Sequence, residues 1–388
     1  MEQPPPIPTT TPSSILSTLV SFGTKSGAAI AATSCLGIAL LYVFQEKLLY
    51  FPEIGGLPRR PAQNPKYYRS PTEHGLEFEN VMVEASDGVR TNGWLLLQKG
   101  SSRQSPTVIF FHGNAGNIGL RLPNARHMYH YLKANILMAE YRGFGDSEGA
   151  PTEVGIRRDS EAVLRYVMNH SSIDPSQVFI FGRSLGGAVG FHLAEYAEEN
   201  RIPVAGLIVE NTFLSISKMI DVLMPYLTPL KSLILKIGWD SEHIAAKLRM
   251  PVLYLAGEKD ELVPHEQMLE LHKLSSVERK GIGGGNSVHA QLNIVKDGRH
   301  NETWMQGGRE YFDSIRKFIS ASIRVNKNVS DSDGQRCTDN QVNSAAVPDV
   351  LPSMASSSIP LMPKTLTGMA KEASSTSHRE SSSNEKQL

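Results

Sequence analysis

Cysteine is nearly absent: the chain has two, Cys35 and Cys337, in 388 residues. One lies in an apolar segment and the other in a polar tail. No disulfide framework follows, and no cysteine cluster offers a zinc site. Net charge is missing too, since 39 Lys and Arg balance 39 Asp and Glu. Without a basic excess nothing points to nucleic acid. No residue pattern calls for a metal or a cofactor. The length leaves room for one large domain plus extras.

What the chain does have centres on Gln177-Val-Phe-Ile-Phe-Gly-Arg-Ser-Leu-Gly-Gly187. Val178 to Phe181 reads as a buried strand. It stops at Gly182-Arg183-Ser184-Leu185-Gly186, a G-x-S-x-G pattern, and helix-compatible residues run from Gly187 to Glu199. Strand, glycine-flanked serine and helix, in that order, form a nucleophile elbow. A serine in so sharp a turn is held in strained backbone geometry with its hydroxyl clear of the sheet. The Leu185 N–H then sits at a helix start, where partial positive charge can meet an oxyanion.

Residues Met1 to Lys25 are rich in Pro, Ser and Thr and read as disordered. Gly27 to Phe44 is an uncharged apolar run of membrane-spanning length. A cleaved signal peptide and a buried core helix are the rival readings. The lead-in is long and nearly uncharged and has no small-x-small cleavage site, which favours the anchor. Leu57 to Pro71 reads as an extended linker. Glu77 to Ala85 and Thr91 to Gln98 form a hairpin about Asp87-Gly88. Further strands are expected at Thr107 to Phe111, Ile136 to Glu140, Val204 to Val209, Pro251 to Ala256 and Leu292 to Val295, with helices between them. This alternation predicts a doubly wound, mostly parallel α/β sheet. Two stretches break the rhythm. Asn211 to Leu248 is long and partly apolar and reads either as a small lid or as a helix pair packed on the core. Gly281 to Ala290 is glycine-rich.

In open α/β sheets function gathers at the carboxyl ends of strands. Four such ends carry suggestive residues: Asn114, Ser184, Asp260 and His300. Their chemistry divides into roles, with Ser184 as nucleophile, His300 as base and Asp260 as the group that orients the imidazole. The backbone N–H groups of Leu185 and Asn114 would form the oxyanion hole. His289 and His265 compete with His300, whose place just after the last strand favours it. Asp297 is a rival acid, and His112 shapes the turn before the oxyanion hole. Arg183 reads equally as a substrate-steering cation or as half of a structural ion pair.

Beyond these roles, five strings carry a resemblance. They are Phe111-His-Gly-Asn-Ala-Gly-Asn-Ile-Gly119, Tyr141-Arg-Gly-Phe-Gly145, Phe181-Gly-Arg-Ser-Leu-Gly-Gly187, Glu210-Asn-Thr-Phe-Leu-Ser-Ile216 and Asp297-Gly-Arg-His-Asn-Glu-Thr-Trp304. Together they resemble the bud-emergence (BEM) branch of membrane-anchored serine hydrolases, the family of alpha/beta hydrolase domain-containing protein 13. The similarity runs from about Tyr42 to Phe318 and departs from the pattern at Gly281 to Ala290. It implies an α/β-hydrolase fold, one N-terminal membrane anchor and a Ser184–Asp260–His300 triad, and little about substrate. The expected division is a disordered segment (1–26), a transmembrane helix (27–44), a juxtamembrane linker (45–72), a hydrolase domain (73–324) and a disordered Ser-rich tail (325–388).

The expected activity is cleavage of an ester or thioester, with a small or lipid-like acyl substrate. A peptidase of the same fold and a non-catalytic membrane-tethered scaffold are the alternatives, and the oligomeric state is left open. Two arguments about orientation disagree. Lys47, Arg59 and Arg60 follow the span and only Lys25 precedes it, which favours a cytosolic domain. The resemblance is read the other way, with sequons at Asn169, Asn301 and Asn328 open to glycosylation in a lumen.

Overall fold

The computed structural model describes residues 12–277 and 290–334. An eight-stranded sheet forms its centre. In chain order the strands are β1 (Glu79–Glu84), β2 (Arg90–Leu96), β3 (Thr107–Phe111), β4 (Asn135–Ala139), β5 (Val178–Arg183), β6 (Val204–Glu210), β7 (Val252–Gly257) and β8 (Ala290–Val295). Across the sheet they run β1-β2-β4-β3-β5-β6-β7-β8. The β1–β2 and β2–β4 pairs are antiparallel, and the others are parallel. The hairpin between β1 and β2 turns at Gly88, whose φ of 81° no β-branched residue would take readily. Strands β3 to β7 are buried at every position, which is why they read as continuous apolar runs.

The helices are α1 (Pro12–Leu49), α2 (Leu122–Leu132), α3 (Glu153–Met168), α4 (Leu185–Glu199), α5 (Ile216–Leu223), α6 (Lys231–Ile234), α7 (Ser241–Lys247), α8 (His265–Val277), α9 (Thr303–Gln306) and α10 (Gly308–Gly334). Both faces of the sheet are covered. One core joins α3, α4, α7 and α8 through residues such as Ile156, Leu164, Phe191, Ile244 and Leu271. The other joins α2 and α10 through Leu122, Met128, Phe312, Ile315 and Phe318. Thr152 caps α3, its hydroxyl accepting from the Gly155 N–H at 3.1 Å. The 3.6-residue apolar stripe of that helix faces the first core.

Three expectations about the ends of the domain need correction. Residues 12–26 are helical, not disordered, because α1 starts at Pro12. A proline is suited to a first helical position, and Ile15, Leu16, Leu19 and Val20 follow at helical spacing. Once a long apolar helix is nucleated, adding turns at its end is easy. At the other end α10 runs on to Gly334, so residues 325–334 are helical rather than part of a disordered tail. No Pro or Gly interrupts it before that glycine. The stretch Leu57 to Pro71 is not extended: Leu57, Asn64 and Tyr68 are buried, so it packs on the domain, as do Gln45 and Tyr50 before it. Its prolines open short 3-10 turns at Pro61 and Pro71 instead of keeping the chain extended.

The glycine-rich stretch that breaks the alternation lies outside the described residues, apart from Ala290, which opens β8. The 211–248 insert holds α5, a 3-10 turn (Pro225–Leu230), α6 and α7. Helix α7 packs into the core through Ile244 and Ala245. In α5 and α6 only Ile220 and Ile234 are buried. The N-terminal helix is long and apolar enough to cross a membrane, and none of its most apolar window is buried.

Candidate active site

Strand β5 delivers Ser184 at the sheet's carboxyl edge, and α4 leaves at once. The serine sits at φ 54°, ψ −122°, in strained backbone between the two. The turn closes so tightly that a Cβ on Gly182 would overlap the Gly186 carbonyl, and one on Gly186 would overlap Phe111. Side chains are therefore excluded at both positions by contact with backbone. The Ser184 N–H donates to the Glu210 carbonyl at 2.9 Å, and its carbonyl accepts from the Thr212 hydroxyl at 2.7 Å. The end of β6 thus holds the elbow in place.

Leu185 opens α4, so its N–H is among those a helix leaves without an intrahelical acceptor. The loop after β3 approaches from the other side. A Cβ on Gly113 would lie 3.6 Å from the Ser184 Cβ, which puts the Gly113-Asn114 backbone against the serine. His112 anchors this loop from below and is fully buried. Its Nδ1 is 2.7 Å from the Gly113 carbonyl, and its Nε2 lies 2.8 Å from Glu140 Oε1, close but off-line for a hydrogen bond. The Tyr141 hydroxyl donates to the His112 carbonyl at 2.6 Å, and the Ile118 N–H donates to Glu140 Oε2 at 3.0 Å.

Asp260 and His300 meet. The imidazole Nδ1 lies 2.8 Å from Asp260 Oδ2 and 3.0 Å from Oδ1. The carboxylate is itself fixed, because Oδ1 accepts the Leu262 and Val263 N–H groups, each at 2.9 Å. Both side chains are shielded, His300 6% and Asp260 1% exposed, so their attraction is little screened. No hydrogen bond between Ser184 and His300 is present among the described residues. The two are tied through β6 instead. Asn211 donates from Nδ2 to the His300 carbonyl at 3.1 Å and to Thr303 Oγ1 at 2.9 Å, and its Oδ1 accepts the Gly257 N–H at 2.8 Å. Asn211 therefore links the ends of β6 and β7 to the histidine loop, while Thr212, its neighbour, holds the serine. Sequence reasoning assigned neither residue a role. The signals were Asn-Thr directly after a buried strand that borders the elbow and its place in the Glu210 to Ile216 string.

The competitors fall elsewhere. Asp297 is exposed and pairs with Lys259 at 2.6 Å, a contact that holds its carboxyl below the usual range. His265 faces Glu266 at 3.5 Å, and His289 lies outside the described residues. Arg183 is buried and turned away from solvent. It binds Glu210 through Nε at 2.9 Å and Nη2 at 3.0 Å, and Nη2 also reaches Asn124 Oδ1 at 2.8 Å. Tyr311 completes the group, donating to Glu210 Oε2 at 2.5 Å. Burial, then the Glu210 charge, pushes the Tyr311 hydroxyl well above its ordinary value, which keeps it a donor. Of the two readings of Arg183, the structural ion pair is the one observed.

The sheet order, the elbow and its surroundings define an α/β hydrolase. The alpha/beta hydrolase fold family matches residues 106–230. The chain is 36% identical over 296 residues to the Arabidopsis thaliana alpha/beta hydrolase domain-containing protein WAV2, covering 73% of this chain and 90% of that protein. It is 34% identical to protein bem46 of Schizosaccharomyces pombe, covering 76% and 92%. It is 31% identical to a Saccharomyces cerevisiae protein described as an uncharacterized membrane protein, covering 75% and 94%. The Pyrococcus furiosus esterase Pf2001 shares the fold, with a TM-score of 0.54 at 18% identity over 69% of this chain and 99% of its own. The chain belongs to the BEM family of alpha/beta hydrolase domain-containing proteins, alongside WAV2 and bem46.

Proposed function

We propose that the protein is a membrane-anchored serine hydrolase that cleaves an ester or thioester through an acyl-enzyme on Ser184. The observation that carries this reading is the shielded His300–Asp260 contact at 2.8 Å, taken with a serine held at φ 54° in the elbow. Asp260 takes the Nδ1 proton side of the imidazole, which leaves Nε2 free to accept the Ser184 proton. Ser184 Oγ attacks the acyl carbon, and the oxygen of the tetrahedral intermediate is met by the Leu185 and Asn114 N–H groups. His300 then returns its proton to the leaving alcohol or thiol. Water repeats the sequence and frees the acid.

Helix α1 is the anchor in this reading, and the domain faces the cytosol, with Lys47, Arg59 and Arg60 on the retained side. A bilayer-bound enzyme suits a small or lipid-like acyl substrate. A peptidase would use the same groups, so chemistry at Ser184 comes first and bond type second. The test is labelling by a fluorophosphonate probe, followed by turnover of matched ester, thioester and peptide substrates. Labelling at Ser184 with ester or thioester turnover supports the proposal. A folded protein that takes no label and turns over none of the three would favour the scaffold reading and overturn it.

A further inference from the structure

The exposed large apolar side chains of the described residues fall mainly into two groups, and the elements that carry them are joined. One lies on α1 and includes Leu36, Leu40, Val43, Phe44 and Leu48. The other lies on the α5–α6 insert, where Val222, Leu223, Tyr226 and Leu233 are 47, 57, 73 and 66% exposed. Elsewhere such residues are scattered singly, as Met82 and Val154 are. Scattered exposure is ordinary, whereas contiguous exposure marks a surface that something covers.

Gln45 fastens the insert to α1. It is a buried amide on a helix otherwise open to its surroundings. Its Nε2 donates to the Ile234 carbonyl at 3.0 Å. Its Oε1 accepts the Lys236 and Ile237 N–H groups at 2.9 and 3.0 Å. Lys236 Nζ pairs with Glu46 Oε1 at 2.7 Å and lies 5.8 Å from the Tyr42 ring centre. These contacts set α6 level with Tyr42 to Glu46, where the apolar stretch of α1 runs into the folded domain.

We infer that α5 and α6 form a membrane-surface element, with Leu223, Tyr226 and Leu233 seated at the boundary between headgroups and acyl chains beside α1. The inference rests on the reading of α1 as the anchor. Continuity identifies the bilayer as the occupant: a helix that enters lipid brings whatever is fixed to its last turns to the lipid surface. The composition agrees, since interfacial elements combine aliphatic and aromatic residues with lysines, and tyrosine favours that depth. Charge is the smaller contribution, because Lys231 pairs with Asp221 and Lys236 with Glu46.

The experiment uses the full-length chain with Cys35 and Cys337 replaced by Ser, in vesicles of phosphatidylcholine and phosphatidylserine. Single cysteines replace Leu36, Met82, Leu223, Tyr226 or Leu233 and carry a polarity-sensitive fluorophore. Spin-labelled lipids quench it at shallow or deep positions. Leu223→Cys, Tyr226→Cys and Leu233→Cys should be quenched several-fold more than Met82→Cys by the shallow label, and Leu36→Cys by the deep one. Quenching at Leu36→Cys with the three insert positions equal to Met82→Cys would overturn the inference and leave the anchor standing. In that case the insert meets water, a partner protein or a second copy. No quenching at Leu36→Cys would remove the anchor and this inference together.

Discussion

The backbone N–H of Phe51 donates to the Asn114 carbonyl at 2.9 Å. Gly116 returns a bond to the Phe51 carbonyl at 2.9 Å, and Asn114 Nδ2 donates to the Leu49 carbonyl at 2.8 Å. The last turn of the apolar helix and the loop proposed to stabilise the oxyanion are therefore one hydrogen-bonded unit. Tyr50, between these contacts, is buried and accepts from Trp239 Nε1 at 2.9 Å. The segment that follows the apolar helix is part of the candidate site's frame.

This frame makes the position of a truncation matter. Removing residues 1–41 should release a soluble, active domain, whereas removing residues 1–51 should abolish most turnover. Asn114→Ala, which keeps the backbone N–H but loses the bond to Leu49, should lower kcat by about 10-fold, as the loss of ~1.4 kcal/mol of positioning would. KM should change little. Equal activity of the two truncated forms would show that the link is dispensable.

The contact at His300 makes Asp260 the acid of the proposed triad. Asp260→Asn should reduce turnover by about 10⁴-fold by presenting the wrong imidazole tautomer. Asp297→Asn removes only an exposed pair with Lys259 and should leave stability nearly unchanged with turnover retained. Ser184→Ala should fold, lose probe labelling and lose up to ~10⁶-fold in turnover. A larger effect at Asp297 than at Asp260 in folded variants would reverse the assignment.

Asn211 should behave as a positioning residue. It sits at φ 49°, a left-handed backbone that Asn tolerates better than Ala. Asn211→Ala would leave the Gly257 N–H and the His300 carbonyl without partners, at a cost of about 2–4 kcal/mol. Turnover should fall along with it. Asn211→Gly relieves the backbone but not the lost bonds, so recovery of stability without recovery of kcat would separate the two effects. Full kcat in Asn211→Gly would deny Asn211 any part in placing His300.

These cases show what could be read from residues alone. The strands were legible because β3 to β7 are buried on both faces and so leave unbroken apolar runs. Ser184, Asp260 and His300 could be singled out as candidates because each follows a strand. The roles of Asn211 and Gln45 were not legible, since each satisfies backbone groups of segments distant in sequence, and no local pattern encodes that. Helix ends were hidden too, because extension by a turn depends on cooperativity more than on the composition of the added residues.

His192 bridges α3 and α4, with Nδ1 3.4 Å from Arg157 Nη1 and Nε2 3.2 Å from Glu161 Oε1. Burial, then the Arg157 charge facing Nδ1, pushes the imidazole down to about 4. Glu161 pulls the other way, but it only accepts the Nε2 proton that the neutral ring already holds. The unfolded chain thus takes up a proton at a higher pH than the folded one. Stability should fall as pH drops below about 6.5, by about 2 kcal/mol at pH 5 from this group. Denaturant unfolding of His192→Gln should show a flatter profile between pH 7 and 5. An unchanged slope would mean that the histidine charges without loss of structure.

Orientation is tested at the sequons. Asn169 is exposed at the end of α3, with its Nδ2 donating to the Arg165 carbonyl at 2.8 Å. A glycosyltransferase in a lumen would find it accessible. Asn301 follows His300, so a glycan there would crowd the mouth of the proposed site. Arg59 and Arg60 add to the positive flank; Arg59 donates to the Ser147 carbonyl, and Arg60 pairs with Asp146 at 3.5 Å. Positive residues near the span in sequence weigh on topology, and only Lys25 opposes Lys47, Arg59 and Arg60. The full-length protein from a eukaryotic host should therefore show no mass shift on treatment with an N-glycosidase. Protease added to sealed microsomes should digest the catalytic domain. A glycosidase-sensitive shift that disappears in Asn169→Gln would place the domain in the lumen and overturn the cytosolic assignment.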